Sequence, residues 1–174
     1  MKSEMSLALI ELLISVTIGI MTVYLTKTVL MRFYLQKTHE IDPYKNVSFM
    51  IFLSGTIFSV SYLLFGIMEP LSSTIKLLSV SGISNTEMIF QFLKYLAMFL
   101  VLGYAFSATI VFVTYKLFSM LTRQLDEYQE IKNNNVGVAI LLSVLTIVAA
   151  LFSKHPFIIF IETFIPYPDL PGIM

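Results

Sequence analysis

The sequence predicts an all-α polytopic membrane protein whose four transmembrane helices form two parallel two-helix repeats. Three observations carry that prediction. Only 13% of the 174 residues are charged and 57% are hydrophobic, whereas soluble domains average about 25% charged. Mean hydropathy is +0.84, more apolar surface than a soluble fold of this size can hide. Four runs reach the roughly 20 helical residues that cross a hydrocarbon core of about 30 Å. Finally, the second half of the chain echoes the first.

The first run covers residues 6–30, with Glu11 and Lys27 near its ends. Lys2 ahead of an apolar stretch suggests a signal peptide. Glu4 and Glu11 break that pattern, and no small-x-small site closes a short core, so the run reads as an uncleaved first span. The second run, 47–68, carries no charge. The third is uncharged over 95–115, and its apolar pattern extends to 88–120, about 50 Å of helix. The fourth, 136–153, is the shortest. In lipid, backbone groups must satisfy one another, so a span is a helix or part of a closed barrel. Barrel strands alternate apolar and polar residues; these runs do not.

Two polar connectors, 37–46 and 124–135, join the helices within each pair, with Pro43 and the Asn133–Asn134–Asn135 run as turn signals. Asn46 and Asn135 stand where N-caps of the second and fourth helices belong. The outer link, 71–86, is expected to hold a short amphipathic helix near 75–80. The tail, 157–174, is too short to span again and reads as interfacial or re-entrant. The whole, 1–174, is one membrane domain, with repeat 1 at about 6–70 and repeat 2 at about 87–156. Lys27, Arg32, Lys37, Lys45, Lys116, Arg123 and Lys132 flank the connectors; Lys2, Lys76, Lys94 and Lys154 lie opposite. Positive charge concentrates on the cytoplasmic side, which puts the connectors inside and both termini outside.

The repeat rests on aligned residues. Asn46-Val47 and Asn135-Val136 each open an uncharged span, with Glu40-Ile41 or Glu130-Ile131 before it. Leu53-Ser54 and Leu142-Ser143 follow at equal distance, and Pro70 or Pro156 stands near each end. Both halves run out–in–out, so their axis lies along the membrane normal, unlike inverted transporter repeats.

The segment Glu130-Ile131-Lys132-Asn133-Asn134-Asn135-Val136-Gly137-Val138-Ala139, followed by a helix of small residues, resembles the signature of the bacterial DUF350 membrane proteins. Lys45-Asn46-Val47 with Leu53-Ser54-Gly55-Thr56 looks like a degenerate first copy, and Val144 replaces a usual glycine in the second. The resemblance implies a repeated two-helix unit in a bacterial inner membrane and no established enzymatic chemistry. It also hints at partners in envelope stress or membrane remodelling.

Candidate sites follow from polar groups in apolar surroundings. Glu11 and Lys94 lie at similar depth on one side. They form a candidate intramembrane ion pair or, more plainly, two side chains reaching back to the headgroups. Small-xxx-small pairs occur in every span: Ser15/Gly19, Gly55/Ser59, Gly103/Ser107 and Ala139/Ser143. They let helices approach closely, within one chain or between chains. Asn46, Asn133, Asn134 and Asn135 are caps, or else a docking or constriction surface. Asp126, Glu127 and Glu130 read as a solvated helix end.

Several classes are excluded or disfavoured. The 11 basic residues balance 11 acidic ones, leaving no excess for nucleic acid. With no cysteine there is no disulfide or thiolate metal site. His39 and His155 fall on opposite sides, and no His-Glu-x-x-His or Gly-x-Ser-x-Gly occurs. No cofactor is expected. The expectation is a non-enzymatic membrane scaffold or anchor subunit, acting in envelope stress or defence. It would oligomerise and present cytoplasmic helix ends to a protein partner. The competing expectation is a channel or transporter subunit with Ser54, Thr56, Ser61, Ser107, Thr109 and Ser143 along a water-filled path.

Overall fold

A computed structural model of the chain describes residues 2–37, 42–122 and 126–165, with side chains in the first segment for residues 9–33. Among the described residues six α-helices follow in order, with a 3-10 helix at Pro43–Lys45 between the first two: α1 (Lys2–Lys37), α2 (Val47–Phe65), α3 (Met68–Val80), α4 (Asn85–Leu121), α5 (Glu127–Lys132) and α6 (Val136–Glu162). Four stretches are long and apolar enough to cross a membrane: Leu9–Phe33, Val47–Val80, Asn85–Leu121 and Val136–Glu162. The protein is an all-helical membrane protein.

α2 and α6 form the centre and make the most extensive helix contact. Both begin at the connector side. α1 packs on α2, while α4 packs on α6, α2 and α3. Each buried seam has helical spacing: Ile18, Thr22 and Thr26 on α1; Phe99, Gly103, Ser107, Thr114 and Phe118 on α4. Lipid covers the other faces, so exposed Leu, Ile and Phe carry no penalty there.

Two apolar clusters fill the bundle. One, toward the outer link, joins Val60, Leu64, Ile67, Phe99, Phe157 and Ile161. The other, toward the connectors, joins Phe49, Leu53, Phe118, Ile131, Val138 and Leu142. Between them α2 and α6 meet through Gly55, Ser59, Ser143 and Thr146, all buried. Hydroxyls in this waist bond backbone carbonyls: Ser59 Oγ to Gly55 O at 2.8 Å and Thr146 Oγ1 to Leu142 O at 2.8 Å.

The structure moves three expected boundaries. The outer link is helical from Met68, not only near 75–80. Gly66 and Ile67 close tight turns onto Leu63 and Leu64, and Pro70 then sits in the first turn of α3, where its missing N–H costs nothing. Gly82, at φ +70, takes the left-handed turn that leads into α4. The tail is the second. α6 runs through Pro156 to Glu162, so the start of the tail, 157–162, continues the fourth helix. Phe157 stacks on Phe106 of α4 with ring centroids 4.6 Å apart, and this burial carries the helix past the bond Pro156 cannot donate. Third, α1 and α4 are longer than their apolar runs, at 36 and 37 residues, about 55 Å each. The expectations on Glu40, Ile41, His39, Arg123 and residues 166–174 lie outside the described residues.

Candidate functional site

The connector face is built by asparagines. Asp126 caps α5 by accepting from the backbone N–H groups of Tyr128 and Gln129. α5 ends after six residues in a left-handed residue, Asn134, at φ 63. Asn135 N–H then reaches back to Glu130 O at 2.9 Å, and Asn134 N–H to Ile131 O at 3.1 Å. That pairing is a Schellman ending, which satisfies the last carbonyls of a helix. Asn135 immediately caps α6, accepting from Val138 N–H at 3.4 Å, while its amide donates to Glu130 Oε2 at 2.6 Å.

Asn46 joins the two halves of the chain. Its Oδ1 caps α2 by accepting from Phe49 N–H at 2.8 Å. Its Nδ2 donates across the bundle to Ile131 O at 2.8 Å and Lys132 O at 3.1 Å. Asn134 Oδ1 returns the contact by accepting from Ser48 N–H at 3.0 Å. Asn46 is 3% exposed; Asn133, Asn134 and Asn135 are exposed. A motif legible as two separate caps is one reciprocal latch between the starts of α2 and α6.

The small pairs divide three to one. A Cβ on Gly55 would stand 2.6 Å from Ser143 Cβ and 3.1 Å from its Cα. There Ser143 Oγ donates to Ile51 O at 3.2 Å. Gly103 lies against Leu64 and Ile67, whose side-chain ends would be 2.5 Å from an added Cβ. Ala139 is fully buried. Ser15 and Gly19 differ. Gly19 has nothing within 4 Å of an added Cβ, and both border a cavity of about 210 Å³ between α1 and α2.

Glu11 Oε1 accepts from Ser72 Oγ of α3 at 2.8 Å. Lys94 is exposed on α4, and no ion pair joins the two among the described residues. The six hydroxyls expected along one path are dispersed. Ser54 and Thr109 lie on the surface, bonded to Met50 O and Ala105 O. Ser61 borders the small cavity. Thr56 and Ser107 line a second, partly open cavity of about 660 Å³. Ser143 is held in the waist.

That larger cavity lies among α1, α2, α4 and α5 and is overwhelmingly apolar. Thr22 Oγ1 and Tyr104 OH meet at 3.1 Å and join α1 to α4. From Tyr104 the cavity extends along α4 to Lys116 and along α1 from Leu25 to Phe33. Sequence reasoning missed it. The one available signal was the Thr22 and Thr26 spacing along one face of α1.

Residues 4–155 match the family described as Domain of Unknown Function (DUF350). The chain belongs to the DUF350 family. The match spans α1 from residue 4, then α2 to α5, and α6 as far as His155. In this DUF350 protein, Phe157 and Ile161 therefore anchor α6 from beyond the matched stretch. No curated protein and no solved structure matches the chain.

Proposed function

We propose that this DUF350 protein is a non-enzymatic membrane scaffold or anchor subunit that self-associates in the bilayer and offers its connector face to a protein partner. The observation that carries the reading is the unequal use of small residues. Three small-xxx-small pairs are buried inside the chain, whereas on α1 Gly19 is exposed with room beside it, and the half-buried Ser15 shares with it the edge of the cavity against α2. Close helix approach through small residues is a main source of association in lipid. α1 is held along one narrow seam, leaving Leu12, Leu13, Val16 and Ile20 outward.

Lysine and arginine density supports a cytoplasmic connector face. The aligned Asn46/Asn135 caps and the buried Leu53/Leu142 pair support two parallel repeats. The rigid Asn46–α5 latch gives a partner a defined surface in place of a loose loop.

Native mass measurement in mild detergent tests the reading. Wild-type protein is expected as an oligomer, and Gly19→Leu as a smaller species with an unchanged helical spectrum. A wild-type monomer with no co-purifying partner would overturn it. Ion flux from reconstituted liposomes would favour a channel subunit instead.

A further inference from the structure

We propose that the cavity between α1 and α4 is a binding site for one anionic membrane phospholipid, with an acyl chain inside and the phosphate at Lys116. The proposal goes beyond the scaffold reading and does not depend on it.

Three observations support this occupant. The volume, about 660 Å³, falls within the range of about 300–1,000 Å³ typical of small-molecule sites, and the walls are almost entirely apolar. The cavity follows α4 from Tyr104 to Lys116, about 18 Å of helix rise. One leaflet supplies about 15 Å of hydrocarbon, so the length suits a chain lying parallel to the helices. Charge then sets the direction. Lys116 is the one charged side chain lining the cavity among the described residues. It stands at the connector end, with its Nζ 5.8 Å from the Phe112 ring centroid. Tyr115 and Tyr128 line the same end, where amphipathic rings favour the headgroup level. The opposite end lies at Tyr104, whose hydroxyl meets Thr22 Oγ1 and carries no charge. One cationic end and one uncharged end on an apolar slot match a lipid with one anionic head. The neighbouring carboxylate on α5, Glu127, is buried and accepts from Thr122 Oγ1 at 2.6 Å.

The test uses the full chain purified in mild detergent and exchanged against vesicles of equal parts phosphatidylglycerol and phosphatidylcholine. Retained lipid is quantified by mass spectrometry. The expected result is about one phosphatidylglycerol per chain, in excess over phosphatidylcholine. Lys116→Gln should lower that headgroup preference about fivefold while phospholipid is still retained. Ala108→Trp, which places an indole in the cavity, should abolish retention. Should Ala108→Trp misfold, Lys116→Gln still decides the headgroup assignment. The proposal is overturned if no phospholipid survives purification, or if Lys116→Gln leaves the preference unchanged. It is equally overturned if a folded Ala108→Trp retains as much lipid as wild type, or if the slot holds a free fatty acid or a second copy's helix.

Discussion

Gly55→Ala probes the closest approach in the bundle. The new methyl would lie 2.6 Å from Ser143 Cβ and 3.1 Å from Ser143 Cα. Non-bonded carbons rest at about 3.5–4.0 Å, so α2 and α6 must separate by about 1 Å. A rotamer change at Ser143 moves Oγ but neither Cβ nor Cα, so side-chain motion offers no escape. Overpacking of this kind costs about 1–3 kcal/mol. Separation also weakens the Ser143–Ile51 hydrogen bond, and bonds of this class average about 0.6 kcal/mol in membrane bundles. Alanine's better helix propensity returns up to about 1 kcal/mol. The net expectation is a loss of about 2 kcal/mol. Unfolding in mixed micelles of rising denaturant-detergent fraction, followed by circular dichroism, measures it. Gly19→Ala is the control, expected within about 0.5 kcal/mol of wild type. Ser143→Gly placed on Gly55→Ala removes the opposing Cβ but also gives up the hydrogen bond and helix propensity, so relief of the clash is read as a coupling of about 1–2 kcal/mol in the double-mutant cycle. Wild-type stability in Gly55→Ala, or no coupling in the cycle, would refute the reasoning.

Two further outcomes follow from the latch and the tail. Asn46→Ala removes an N-cap, worth about 1 kcal/mol, and the donor to two carbonyls, for a combined loss of about 2–3 kcal/mol. Asn46→Asp keeps the cap oxygen but turns a second buried acceptor on Ile131 O and Lys132 O, so it should lose at least as much as Asn46→Ala; equal stability of all three would remove the latch. Phe157→Ala should destabilise by about 3 kcal/mol, whereas Phe160→Ala on the exposed face should not. A reversed order in thermal unfolding would show that α6 is not anchored beyond Pro156.

The sequence by itself determined the class, the four spans and the caps. These are local quantities. Hydropathy summed over about 20 residues decides insertion, and Asn46 and Asn135 cap whatever helix follows them because the need for a first-turn acceptor is local. The small pairs were legible as residues that permit close approach, and three of them lie buried within the bundle. Partner choice was not legible. Lipid is as apolar as leucine, so no burial gradient tells one span which other span to meet. Only the tertiary structure decided that α2 and α6 form the centre through Gly55 and Ser143, and that Asn46 reaches across to α5. It also decided that Glu11 meets Ser72, not Lys94. Pro156 shows the same division. Its ring and missing N–H argue locally for an end, and the burial of Phe157 and Ile161 against α4 carries the helix on. The cavity along α4 belongs to tertiary structure alone, because it is the space left where α1 and α4 share one hydroxyl contact and little else.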